Sequence, residues 1–156
     1  MRMKGDIDVI KQLNQVLTLQ LTGINQLFLH SRMHDDWGYK AIAKTIYDDS
    51  IHLMKAAQKL TDRILFLEGL PNYQKILKLH IGESAAECLK NDFQFASDLR
   101  NKIAEAIDHC ILKKDHHSRD ILDGFLTKQE AVIDWHKAQE QIISSVGTEN
   151  YLSQKL

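Results

Sequence analysis

Apolar positions recur every three to four residues along four long stretches, the period of helices with one buried face. The first stretch begins at Asp6, a side chain suited to an N-cap, and ends at Asp36. The second runs from Tyr39 to Leu67 and stops at Glu68-Gly69-Leu70-Pro71, where a glycine followed by a proline closes a helix. The third opens at Ser84-Ala85-Ala86-Glu87, a capping-box pattern, and reaches Leu112. Lys113-Lys114-Asp115 then ends one helix with basic residues and offers an aspartate to cap the next. The fourth runs from His116 to Ser145, and a short piece, Glu149 to Gln154, follows Gly147. Pro71 and five glycines (Gly5, Gly38, Gly69, Gly82 and Gly147) punctuate these stretches. What lies between them reads as helices of about 30 residues, each about 45 Å long. Residues 69–82 form one long connection and the other links are tight. The pattern predicts an all-α fold: a four-helix bundle with one long crossover and a short C-terminal helix, a single domain over 1–156.

Turned at roughly 100° per residue, the second helix has two apolar faces. Ile42, Ile46, Leu53, Ala56, Leu60 and Ile64 make one, the expected bundle core. Tyr47, Ile51, Met54 and Leu65 make another, well over a quarter turn away. On the first helix Leu13, Leu17, Gln20, Ile24 and Leu27 face one way, and Leu21, Asn25 and Phe28 a neighbouring way. A monomer has no use for a second apolar stripe, so this face is expected to be a subunit interface, two-fold in symmetry. Met54, in its middle, has two readings: a gap-filling interface methionine, or an axial ligand to a haem lying across the two-fold.

Composition removes several function classes. Twenty basic residues against 21 acidic give a net charge of −1, so no basic field argues for nucleic acid. Cys88 and Cys110 share no motif spacing, which excludes a disulfide framework and a cysteine zinc site and fits a reducing compartment. No run approaches about 18 uninterrupted apolar residues and no signal-peptide pattern opens the chain, so a cytoplasmic location is expected.

Bundles with this connectivity commonly hold a di-iron pair, with a Glu from each of two helices and a Glu-x-x-His from each of the other two. The chain has no Glu-x-x-His; its core stripes carry Leu53, Ala56 and Val132, with Gln20 and Gln129 as the main polar exceptions. Gln20 facing Gln129 suggests a hydrogen bond between them. Asp49 with His52 (i, i+3) and Asp48 with His52 (i, i+4) have metal-ligand spacing, although a solvated polar face explains them more simply. Glu130 with Asp134, and the His116-His117 pair at a helix start, also read as surface. His136 lies near the core stripe and reads as a hydrogen-bonded core histidine. No Ser/His/Asp set and no phosphate-binding glycine loop stands out.

The run Ile24-Asn25-Gln26-Leu27-Phe28-Leu29-His30-Ser31-Arg32-Met33, followed by Trp37-Gly38, resembles the first helix of bacterioferritins, members of the ferritin-like family. Arg63-Ile64-Leu65-Phe66-Leu67-Glu68-Gly69-Leu70-Pro71-Asn72 resembles the end of their second helix. Leu79-His80-Ile81-Gly82-Glu83, Ser118-Arg119-Asp120 and Ile133-Asp134-Trp135 continue the likeness, which starts at Met3 and makes Met1-Arg2 an extension. The resemblance implies a hollow shell of two dozen subunits that stores ferric mineral, with a di-iron ferroxidase centre in each bundle. It also implies a b-type haem between two-fold related subunits, held by one methionine from each. Met54 matches that ligand, and Leu21, Asn25, Phe28, Tyr47, Ile51 and Lys55 match the residues lining the haem pocket.

The six ferroxidase ligand positions match Gln20, Leu53, Ala56, Ala96, Gln129 and Val132, none of them a carboxylate or an imidazole, and the family's nearby tyrosine is Leu27 here. The cavity-side iron site of the family matches Asp48 and His52 with identities swapped, so a weakened site is expected. Leu70, Leu79, Glu83 and Glu87 match positions where bacterioferritins dock a small [2Fe–2S] ferredoxin that supplies electrons for iron release. The chain is therefore expected to be a haem-binding, iron-storing shell subunit without enzymatic activity and without a di-iron centre. It would share a mixed shell with a ferroxidase-competent subunit and pass electrons inward. Two alternatives remain: a ferroxidase with a displaced site near Asp48, Asp49 and His52, or a purely structural shell subunit without haem.

Overall fold

The computed structural model describes residues 4–156. The expected family start at Met3 and the Met1-Arg2 extension lie outside the described residues. The helices are α1 (Ile7–Asp36), α2 (Lys40–Phe66), α3 (Ala85–Leu112), α4 (His116–Val146) and α5 (Thr148–Ser153). This is the ferritin-like four-helix bundle with a short C-terminal helix, and every expected boundary falls within two residues of the observed one. Among the described residues no helix is long and apolar enough to cross a membrane.

The ends form where local chemistry satisfies the backbone. Asp6 caps α1 by accepting from the Asp8 and Val9 amides at 2.8 and 3.3 Å. Ser84 caps α3 by accepting from the Glu87 amide at 3.2 Å, while the Glu87 carboxylate reaches back one residue further, to the Glu83 amide. The end of α2 differs in detail from the glycine stop expected. Glu68, at φ 63°, takes the left-handed position, and Gly69 follows it, donating to the Ile64 carbonyl at 2.9 Å. Gly69 is needed for space instead: a Cβ there would lie 2.8 Å from Ile10 Cγ2. α3 ends alike, with Lys114 at φ 58° and the Asp115 amide bonded to the Cys110 carbonyl.

Asp115 then opens α4, accepting from the Ser118 amide and hydroxyl and from Arg63 of α2 at 2.7–3.0 Å. Burial opposes its charge, but the Ser118 bonds and the Arg63 guanidinium together hold its carboxyl below the usual range.

The expected core stripe of α2 is buried throughout, from Ile42 to Ile64, against Val9, Leu13, Val16 and Leu17 of α1 and Leu99 and Ile103 of α3. Each fully buried side chain of this size contributes about 1.5–3 kcal/mol. α4 is the sparsest contributor, burying Leu122 but also Gln129, His136 and Gln139. α5 folds back to bury Tyr151, whose hydroxyl donates to Gln139 Oε1 at 2.7 Å.

The crossover, residues 67–84, runs the length of α1 along a polar stripe. The backbone amides of Asn72, Leu77, His80 and Gly82 donate in turn to Asn14 Oδ1, Thr22 Oγ1, Gln26 Oε1 and His30 Nε2, at 2.9–3.1 Å. Those acceptors sit four or eight residues apart, one face of a helix. A connection without secondary structure thereby satisfies backbone groups that would otherwise need water.

Candidate functional site

The outer face of α1 and α2 carries the second apolar stripe. Met54 is 52% exposed, Phe28 48% and Tyr47 39%, and Leu65 is likewise open. Leu21 and Ile51 are partly buried beside them, and Asn25 and Lys55 are exposed at the edge. Phe28 and Tyr47 lean together, ring centroids 6.3 Å apart. All seven residues matched to the haem pocket thus lie on the two neighbouring helices, α1 and α2. Their chemistry fits half of a haem site: one soft thioether donor, aromatic and aliphatic walls, and an ammonium able to meet a propionate.

The bundle centre is built differently. Gln20, Leu53, Ala56, Ala96 and Gln129 are buried and Val132 is partly buried. Phe95 occupies the space between α1 and α3. A Cβ at Gly23 would lie 2.3 Å from the Phe95 ring and 2.8 Å from Leu53 Cδ1, so α1 has a glycine where ring and leucine press against it. Leu27 is buried in the same layer as part of the apolar core. The expected Gln20–Gln129 hydrogen bond does not form: Gln20 Oε1 is buried without a partner. The two amides stand in a centre already filled by Phe95 and Leu53. These residues do not fit a di-iron pair, which needs anionic oxygens to offset its charge. Among the described residues no three His, Cys, Asp or Glu side chains form a metal-holding group.

On the exposed edge of α2, Asp48 pairs with Lys44 at 2.9 Å rather than with His52. Asp49 is half-buried, and burial pushes its carboxyl up to about 6, with Lys128 of α4 opposing and Asp48 and Asp92 adding to the rise. The His52 imidazole is lowered by burial and by the cations Lys128, Lys55 and Lys59. Lys128 acts on both groups, a positive charge set where a metal would compete with it.

The remaining sequence candidates resolve simply. Glu130 pairs with Arg100 at 3.3 Å, and Asp134, His116 and His117 are exposed. His136 is buried as expected, but its ring stacks on Phe93 at 5.8 Å in place of a hydrogen bond, and burial pushes its imidazole down to about 4. Leu79, Glu83 and Glu87 gather where the crossover meets α3. Leu70 lies at the other end, its carbonyl held by Asn14 while Gly82 is held by His30. Sixteen residues of helix, about 24 Å, separate those anchors. Within one chain the four do not form one surface.

Three features escaped sequence reasoning: the Gly23–Phe95 approach, the polar stripe of α1, and the buried His30–Asp92 pair at 2.8 Å. The stripe had a visible signal, the polar residues Asn14, Thr18, Thr22, Gln26 and His30 at four-residue spacing. The other two had none.

Comparison with known proteins agrees with this architecture. Residues 10–146 match the ferritin-like domain family. The chain is 40% identical over 152 residues to bacterioferritin BfrA of Mycobacterium tuberculosis, covering 97% of this chain and 96% of that one. It is 37% identical to the Mycobacterium avium bacterioferritin over the same coverage. To the bacterioferritin of Brucella melitensis it is 38% identical, over 96% of this chain and 92% of that one.

These matches correct one expectation. The chain was expected not to be an enzyme because six side chains at the bundle centre are replaced. Full-length identity to bacterioferritins points to the ferroxidase enzymes of that family. The replaced side chains describe the contents of one bundle centre only. By domain match and by identity along nearly its whole length, this chain belongs to the ferritin-like family, among the bacterioferritins.

Proposed function

We propose that this bacterioferritin-type iron-storage chain binds a b-type haem between two copies of itself, with Met54 of each copy as the residue that would hold it. The carrying observation is the exposed apolar face of α1 and α2 with a half-exposed methionine at its middle. Bound there, haem supplies one-electron redox chemistry for iron release. The chain's own residues do the rest. Met54 donates its thioether sulfur. Leu21, Phe28, Tyr47 and Ile51 exclude water from the flat faces, and Lys55 offsets propionate charge. A two-fold copy of the same face supplies the second donor and covers the apolar surface. This reading extends to a closed shell of two dozen chains, in which a sibling bacterioferritin subunit can share places, and to a small [2Fe–2S] ferredoxin as electron donor. Because Leu70 stands apart from Leu79, Glu83 and Glu87 within one chain, such a donor would bridge two subunits.

Met54→Leu preserves size and apolarity but removes the sulfur. The variant is expected to assemble as the parent does and to lose the haem absorption band. An unchanged spectrum in that variant overturns the assignment.

A second reading concerns iron oxidation, which the family assignment makes the activity to look for. The candidates outside the bundle centre are Asp48, Asp49 and His52 on the edge of α2, of which Asp49 alone is half-buried. Fe(II) oxidation in air by the isolated shell should then drop about a hundredfold or more in His52→Ala, the low end of what one acid–base group contributes. Undiminished oxidation in that variant removes this reading.

A further inference from the structure

A cleft of about 260 Å³ opens between the start of α3 and the end of α4, on the helix pair that does not carry Met54. Ala86, Leu89, Phe93 and Ile143 make its walls apolar. Lys90 and Glu140 stand exposed at its mouth, one charge of each sign, so the cleft favours neither anions nor cations. Two buried polar side chains complete the lining, Gln139 and His136. Gln139 is committed within the chain: its Nε2 donates to the Trp135 carbonyl at 3.2 Å and its Oε1 accepts from the Tyr151 hydroxyl at 2.7 Å.

His136 has no such commitment. Its side chain is only 3% exposed, and burial alone lowers the imidazole, with no hydrogen bond and no neighbouring charge contributing. Among the described residues, the polar atoms sealed in the core without a partner are Gln20 Oε1, both His34 nitrogens and Asp92 Oδ2; the His136 nitrogens are not among them. They lack a partner in the chain yet keep an opening, and that opening is the cleft which the ring lines. Phe93 stacks on the ring at 5.8 Å and Trp135 meets it edge-on at 4.9 Å, so its direction is fixed before a ligand arrives. A buried polar group left in this state carries a desolvation cost that a ligand reaching it relieves.

These features select the ligand. A cavity of about 150 Å³ already holds benzene and sites for drug-sized ligands begin at about 300 Å³, so this space suits one ring with a small substituent. A neutral imidazole presents a donor at one nitrogen and an acceptor at the other. A hydroxyl does both, and so completes whichever nitrogen it meets. A flat ring packs against Phe93 and, being rigid, loses little freedom on binding. We propose that the α3–α4 cleft is a binding site for a small uncharged aromatic alcohol of the phenol class, its ring held among Leu89, Phe93 and Ile143 and its hydroxyl bonded to His136.

The test is isothermal titration of the assembled shell with phenol, benzene and cyclohexanol. Phenol is expected to bind at one molecule per chain and about tenfold tighter than benzene, the factor that corresponds to one hydrogen bond of about 1.4 kcal/mol. Cyclohexanol keeps the hydroxyl without the aromatic face and is expected to bind more weakly than phenol. His136→Phe leaves a flat ring in place and is expected to bring phenol down to the benzene level without weakening benzene. Ala86→Leu fills the cleft from the facing helix and is expected to abolish both, which keeps the test decisive if His136→Phe fails to assemble. Equal affinities for phenol and benzene in the parent, cyclohexanol as tight as phenol, a phenol preference that survives His136→Phe, or undiminished phenol binding in Ala86→Leu overturns the assignment. A shell that takes up neither phenol nor benzene also overturns it, the result expected if a side chain of a neighbouring copy fills the cleft.

Discussion

His136 and His34 carry imidazoles pushed down to about 4 by burial, with His30 adding to the effect at His34. The unfolded chain holds histidine near 6.5, so between about pH 6.5 and pH 4 it binds protons that the folded chain refuses. Stability is therefore complete above that window and falls as the pH drops through it, each fully buried ring being worth about 3 kcal/mol at the acid limit. Asp49 acts with the opposite sign. Its carboxyl, raised to about 6, costs stability at neutral pH and gives it back below that value. Two histidines stand against one carboxyl of similar shift, so the histidines should dominate. His136→Phe keeps a flat ring against Phe93 and removes one titration, so denaturant midpoints at pH 7 and roughly pH 4.5 should differ less in the variant than in the parent. An equal acid loss in both would show that His136 is not held neutral by the core.

Helix ends and buried stripes were legible because each depends on neighbours in sequence. Asp6, Ser84 and Asp115 cap their own first turns, and Ile42 to Ile64 share a face at helical spacing. What stayed hidden depends on partners far along the chain. The Gln20–Gln129 bridge was inferred from two side chains on facing helices, without knowing that Phe95 fills the space at Gly23. The polar stripe of α1 went unread although its spacing is visible, since its partners are crossover backbone amides that leave no mark in the sequence. The close approach of α1 and α3 makes its own prediction. Gly23→Ala should destabilise the bundle by about 1–3 kcal/mol, the range for overpacking a core, read as a lowered unfolding midpoint. A neutral substitution would mean that Phe95 yields readily and the centre is softer than its packing implies.

At the scale of the molecule, one side of the bundle centre has become a filled core while the outer face of α1 and α2 stays apolar and open. Those two facts separate what the chain holds inside from what it offers to a second copy. Charge gives no competing account of that face, since the net charge is −1. The central claim, that this face holds haem through Met54, is tested most directly by the absorption spectrum of assembled protein purified from haem-replete cells, recorded beside Met54→Leu. The account predicts a Soret band in the parent, at roughly one haem per pair of chains as two-fold symmetry requires, and its loss in a variant that still assembles. A parent without the band, or a variant that keeps it, would contradict the claim.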